Sequence, residues 1–194
     1  MTKLDEIYSL IDQAEENKTY REKGWHPLYQ VSEKSRILLV GQAPGIKAQE
    51  SMICWHDQSG IRLRNWMGVR DEEFYNPDLF AILPADFYYP GKGKSGDLPP
   101  RKGFAQKWHP LILQECTNIQ LTILVGSYAV DVYLKDRKEK TLTETVRHYR
   151  QYLPDYFPLV HPSGRNGIWL RKNPWFEEEV VPVLQESVRK ILEH

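Results

Sequence analysis

The sequence predicts an α/β fold, a three-layer α/β/α sandwich around a central four-stranded parallel sheet. Three observations carry that expectation. First, four short apolar runs punctuate the chain: Ile37-Leu38-Leu39-Val40, Leu79-Phe80-Ala81-Ile82-Leu83, Leu121-Thr122-Ile123-Leu124-Val125 and Phe157-Pro158-Leu159-Val160. Second, segments with helical periodicity stand between them. Strands that are apolar throughout, rather than on alternate residues, are those buried on both faces, as in a parallel sheet covered by helices. Third, each run passes straight into an unusual loop, and ligands of such sheets bind beyond the carboxyl ends of the strands.

In chain order, Leu4, Ile7, Leu10, Ile11 and Ala14 recur at helical spacing and predict an amphipathic helix over 2–17, within an N-terminal segment 1–20. The first strand enters Gly41-Gln42-Ala43-Pro44-Gly45. A helix is expected at 60–67. The second strand enters Pro84-Ala85-Asp86 and a Gly/Pro-rich stretch to Pro100, followed by a helix at 102–116. The third strand meets Gly126-Ser127 and a helix at 127–135, with another at 141–151. The fourth strand enters His161-Pro162-Ser163-Gly164-Arg165-Asn166. The last helix is expected at 174–192, with Asn173 as its cap, Pro174 in the first helical position and Glu177 to Glu179 in the early turns.

The 194 residues fit one domain spanning 1–194. Hydrophobic residues at 41% and charged residues at 27% exclude a disordered chain. A formal net charge of zero argues against a protein that coats nucleic acid without regard to sequence, while leaving room for a local basic patch. Cys54 and Cys116 form no CxxC pair, so a cysteine-built zinc or iron–sulfur site is not expected, and both read as reduced thiols. No run approaches the ~20 apolar residues of a membrane span. Met1 to Glu6 lack the apolar core of a signal peptide, so the expectation is a cytoplasmic protein.

The loops carry the chemistry. Gly41-Gln42-Ala43-Pro44-Gly45 lacks the Lys-Ser/Thr end of a phosphate loop. Val125-Gly126-Ser127 lacks the Gly two residues before Ser that a nucleophile elbow needs. The first loop instead resembles the first motif of the uracil-DNA glycosylase superfamily, in the branch with Gly-x-Ala-Pro-Gly. His161-Pro162-Ser163 is similar to its second motif, again after a strand. Between them, Trp55 to Gly60 and Arg62 to Trp66 resemble the stretch that opens the next helix. Pro90-Gly91-Lys92 and Gly96-Asp97-Leu98-Pro99-Pro100 resemble a loop of some members.

The resemblance implies a uracil-DNA glycosylase-like fold and hydrolysis of the N-glycosidic bond of a flipped-out damaged base, uracil first among them. DNA would be the partner of a monomer that uses no cofactor and no metal. His161 would stabilise the leaving base, against the plainer reading of a residue closing a strand. Trp55 would be the stacking platform, against core packing. Gly41, Gln42 and Ala43 would lie at base or water. Ser163, Arg165, Lys92 and Lys94 would meet the DNA backbone, although an exposed loop carries such charges anyway.

The chain also departs from the pattern. Ala43 stands where several branches have Asp or Asn to position water, and no Asn follows the second strand. Asp57 is the candidate to position water and Asp86 the candidate to read the base. Both have the turn-forming role of Asp as their alternative. Two other functions remain open, a base-binding module that has lost catalysis and a hydrolase of free nucleosides or another nucleobase.

Overall fold

The computed structural model describes residues 1–193. Its central sheet has four strands, β1 (Ile37–Val40), β2 (Phe80–Ile82), β5 (Leu121–Val125) and β6 (Tyr156–Leu159), in the order β2-β1-β5-β6 and all parallel. A short antiparallel hairpin, β3 (Lys92–Gly93) with β4 (Gly96–Asp97), stands outside it. The α/β expectation of a four-stranded parallel sheet is thus met. Pro158 sits in β6, at the sheet edge, where a missing N–H is tolerated.

Residue parity divides the core. Ile37, Leu39, Ile82, Ile123 and Val125 face one layer, with Leu63 and Met67 of α4 (Gln58–Met67) and Leu184 and Val188 of α10 (Val181–Glu193). Leu38, Val40, Ala81, Leu83 and Leu124 face the other, with Ile7 and Ile11 of α1 (Lys3–Gln13), Phe104 and Trp108 of α6 (Phe104–Leu113) and Val130 of α7 (Ser127–Leu134). Alternate residues of an all-apolar strand therefore feed two cores, which is why no polar alternation was visible. The smaller helices are α2 (Lys18–Arg21), α3 (Ile46–Ser51), α5 (Asp71–Phe74), α8 (Leu142–Arg147) and α9 (Gly167–Lys172). Cys54 and Cys116 are free and buried. No helix among the described residues is long and apolar enough to cross a membrane.

Several helices are shorter than expected: the one at 102–116 is confined to Phe104–Leu113, and that at 141–151 to Leu142–Arg147 with a 3-10 turn at Tyr149–Gln151; at the first and last helices side chains explain the difference. The first stops at Gln13 rather than 17, because side chains further along take its last carbonyls. Asn17 donates to the Ile11 carbonyl (2.7 Å), and Arg21 to those of Asp12 (2.5 Å) and Ala14 (3.3 Å). The last helix has no Asn173 side-chain cap. That amide accepts from the Trp175 indole (3.1 Å) and donates to the Trp169 carbonyl (2.9 Å). Residues Phe176–Val180 form a wide π turn before α10 begins. Pro182 has no N–H for the carbonyl four residues back, and the turn widens to accommodate the loss.

The loop after β2 is pinned by two buried polar groups. Asp86, the expected base reader, is fully buried, and its carboxylate accepts four hydrogen bonds: from the Tyr88 and Arg101 backbone N–H groups (3.1 and 3.0 Å) and from Arg101 Nε and Nη2 (2.8 and 2.9 Å). With both oxygens engaged it has nothing to offer a base, so that expectation is corrected: Asp86 anchors the loop. His109 of α6 is the second pin. Its Nε2–H donates to the Pro84 carbonyl (2.8 Å), and its Nδ1 accepts from the Tyr133 hydroxyl (2.7 Å).

Burial pushes the His109 pKa down to about 4, against a slight opposing pull from the Pro84 carbonyl. The unfolded chain takes up this proton near pH 6.5 and the folded chain only near 4. This group therefore costs the fold stability as pH falls through that window, on the order of 3 kcal/mol by its lower end. Urea denaturation at stepped pH is expected to show that loss, and His109→Gln to lack this component of the slope.

Candidate active site

All four sheet loops leave from one edge. Parallel pairing continues beyond the strands: the Leu83 N–H donates to the Leu39 carbonyl (2.9 Å), that of Ala85 to Gly41 (3.0 Å) and that of Asp86 to Gln42 (3.1 Å). This holds the first two loops in register. Gly41 is buried, while Gln42 and Ala43 are half-buried. The Gln42 side-chain amide makes no hydrogen bond among the described residues.

Trp55 and His161 meet over the loop after β1. Their ring centroids are 5.5 Å apart at 35°. Two glycines make the room for the Trp55 ring, and a third turns the chain beside His161. A Cβ on Gly41 would stand 2.8 Å from the Trp55 ring, and one on Gly60 only 1.7 Å from the Trp55 carbonyl oxygen. Gly126, at φ +85°, lies where a Cβ would come within 3.6 Å of the His161 Cβ. The structure thus brings together Gly41, Trp55 and His161 from loops far apart in sequence, with Gly126 unforeseen between them.

The Trp55 backbone is itself strained. Its φ of +56° is in the left-handed region, which a bulky side chain adopts only when its surroundings hold it there. The holder is Arg64 of α4, which lies in a recognisable sequence motif but had no expected role. Its guanidinium is buried, donating from Nη1 to the Trp55 carbonyl (3.0 Å) and to the Tyr75 hydroxyl (3.3 Å), with Nε paired to Asp71 (2.7 Å). The Tyr75 hydroxyl in turn donates to the Cys54 carbonyl (2.9 Å). Two consecutive carbonyls are thus fixed by one cation and its hydroxyl partner.

His161 has a defined tautomer. The Ser163 backbone N–H donates to His161 Nδ1 (3.2 Å), so Nδ1 is an acceptor and the ring proton sits on Nε2. The Asn166 amide donates to the His161 carbonyl (2.6 Å), closing the loop on itself. Burial lowers the His161 pKa, and the nearby Asp57 carboxylate opposes that shift. The imidazole is therefore neutral at pH 7. Asp57 is exposed and caps α4, one oxygen accepting from the Gly60 N–H (2.8 Å). The turn-forming role thus applies to it, with the second oxygen left over.

The charged residues expected at DNA lie on the rim. Lys92 and Lys94 are exposed on the hairpin and enter no ion pair among the described residues. Arg165 is exposed too, and its guanidinium reaches the same hairpin: a Cβ on Gly96 would be 2.8 Å from its Nη1. Ser163 is half-buried and commits its N–H to His161 rather than to the exterior. Among the described residues no cluster of three or more His, Cys, Asp or Glu could hold a metal ion.

Gly60→Ala sets the Trp55 contact against helix propensity. In an α-helix that change normally stabilises by about 1 kcal/mol. Here the added methyl must displace the Trp55 carbonyl, so a net loss of about 2 kcal/mol or more is expected in urea denaturation.

In comparison with known protein families, the family model described as Uracil DNA glycosylase superfamily matches residues 28–185, well over half of the chain.

Proposed function

Because the chain belongs to the uracil DNA glycosylase superfamily, we propose that it is a monofunctional DNA glycosylase that removes a damaged base, uracil first among them, acting as a monomer. The observation that carries this reading is the neutral His161, proton on Nε2, beside the Trp55 ring. A base swung out of the stack lies against Trp55, with Gly41 and Ala43 leaving room and the free Gln42 amide near its edge. The bond between the sugar carbon and the base nitrogen breaks, and its electron pair leaves with the base. The Nε2–H of His161 donates to the base oxygen on which that charge develops. Water adds to the sugar carbon and gives up a proton. The spare oxygen of Asp57 positions that water and receives the proton, in place of the carboxylate that Ala43 lacks. Lys92, Lys94, Arg165 and the Ser163 hydroxyl contact backbone phosphates, which makes binding salt-dependent.

A second reading, a base-binding module without catalysis, is favoured by Ala43 and by the use of one Asp57 oxygen as a helix cap. One assay separates the two. Oligonucleotides with a single uracil, hypoxanthine or xanthine, single- and double-stranded, are incubated with the protein, and abasic sites are then cleaved with alkali. Strand breaks are expected with wild type and a loss of about 10²–10³-fold in rate with His161→Ala. Binding of the uracil strand without breaks selects the second reading. Undiminished breaks in both His161→Ala and Asp57→Ala overturn the site assignment.

The pH profile adds an independent check. His161 must be neutral to accept from the Ser163 N–H, and its pKa lies below the usual 6.5. The rate is therefore expected to fall along an acidic limb whose midpoint lies below 6.5. Asp57→Asn removes the charge that holds the His161 pKa up, so the acidic limb moves to lower pH, whatever the change in maximal rate.

A further inference from the structure

A cavity of about 390 Å³ forms a groove beside the Trp55–His161 pair. One wall is a face of α4, where Gln58, Ile61, Arg62 and Asn65 fall within one helical stripe. The other is formed by Pro162 and Gly164. The loop after β6 is thus a partition, with His161 beside Trp55 and the next residues along lining the groove. From His161 to Gly164 is three residues, at most about 11 Å even if fully extended. Successive nucleotides of one strand cover that span.

The lining chemistry selects an occupant. Gln58 and Asn65 are exposed, and their side-chain amides make no hydrogen bond among the described residues. Arg62 donates to the Pro162 and Ser163 carbonyls (3.4 and 3.2 Å), which keeps its guanidinium at the partition. Glu177 closes the groove, its carboxylate accepting from the Trp66 indole (3.1 Å). That negative charge disfavours a phosphate. Amides, a guanidinium and the Ile61 side chain together suit a neutral, flat group with donors and acceptors along its edge. We infer that this groove receives the nucleobase next to the flipped one, so that the protein binds two adjacent bases of one strand in two recesses. The inference rests on the glycosylase reading and extends it to a second base subsite.

The test pairs a change in the strand with a change in the groove. Single-stranded uracil oligonucleotides carry either a normal base or a baseless tetrahydrofuran residue immediately 5′ or 3′ of the uracil. Binding is measured by fluorescence anisotropy and base release by single-turnover assay, for wild type and for Gln58→Ala/Asn65→Ala. Both positions are exposed, and thermal melting checks that the variant folds. Wild type is expected to bind about tenfold more weakly when one of the two neighbours loses its base. The variant should bind the intact strand about tenfold more weakly than wild type and lose less than twofold more on removal of that base. No loss in wild type at either flank overturns the proposal, as do equal losses in wild type and variant. If the neighbour effect holds while no base is released from any strand, the groove stands and the glycosylase reading falls. Absence of binding to every strand sinks both.

Discussion

Everything in the site depends on four strands running in the same direction. Parallel pairing obliges every crossover to return across the sheet, so all four carboxyl ends lie on one edge. The loops that carry residues 41, 86, 126 and 161 are thereby ranged along that edge. The chain leaves β1 toward β2 on one side and reaches β5 on the other. The crevice between those departures is where an open parallel sheet accepts a ligand. Backbone hydrogen bonds that continue past β1 and β2 prevent the first two loops from parting, and Asp86 and His109 anchor the second loop further out.

The strands were legible in the sequence to within a residue or so, because burial on both faces leaves an unbroken apolar run. Helix ends were less so. Their limits come from side chains such as Asn17 and Arg21 that take carbonyls of an earlier turn, and such contacts impose no period on the sequence. His161 and Trp55 could be picked out because each sits in a short motif beside a strand or helix start. Arg64 could not, because its partners are backbone carbonyls and an aromatic hydroxyl that only the fold brings near. The misreading of Asp86 has the same origin. Its partner Arg101 lies fifteen residues on, and no sequence period links the two. In the structure Arg101 turns inward to Asp86, and Lys107 of α6 pairs with Glu16 of the N-terminal segment.

The Trp55 platform shows how strain and fixation offset one another. A left-handed backbone at a tryptophan costs on the order of 1–3 kcal/mol. Hydrogen bonds from a charged donor are worth about 1.5–3 kcal/mol each, so the Arg64 contact with the Trp55 carbonyl is of the right size to hold the conformation. The ring is consequently in place before any ligand arrives, which spares binding the cost of ordering it. His161 is prepared by another route. Burial and the Ser163 N–H both favour the neutral ring, and Asp57 tempers the shift without reversing it.

The three glycine gaps also bear on how such a chain can diverge. Gly41 and Gly60 abut tryptophan atoms at distances no side chain survives, and Gly126 has a backbone that penalises any replacement. A side chain at the first two adds atoms where none fit, and one at Gly126 strains the backbone, so all three positions are closed to drift. Gln42, Ala43 and Asp57 are under no such steric ban; they stand half-buried or exposed beside the fixed rings. Variation is thereby channelled into the positions proposed to meet substrate and water. A lineage can exchange the residues around them one by one while the Trp55 ring and its imidazole neighbour stay where they are.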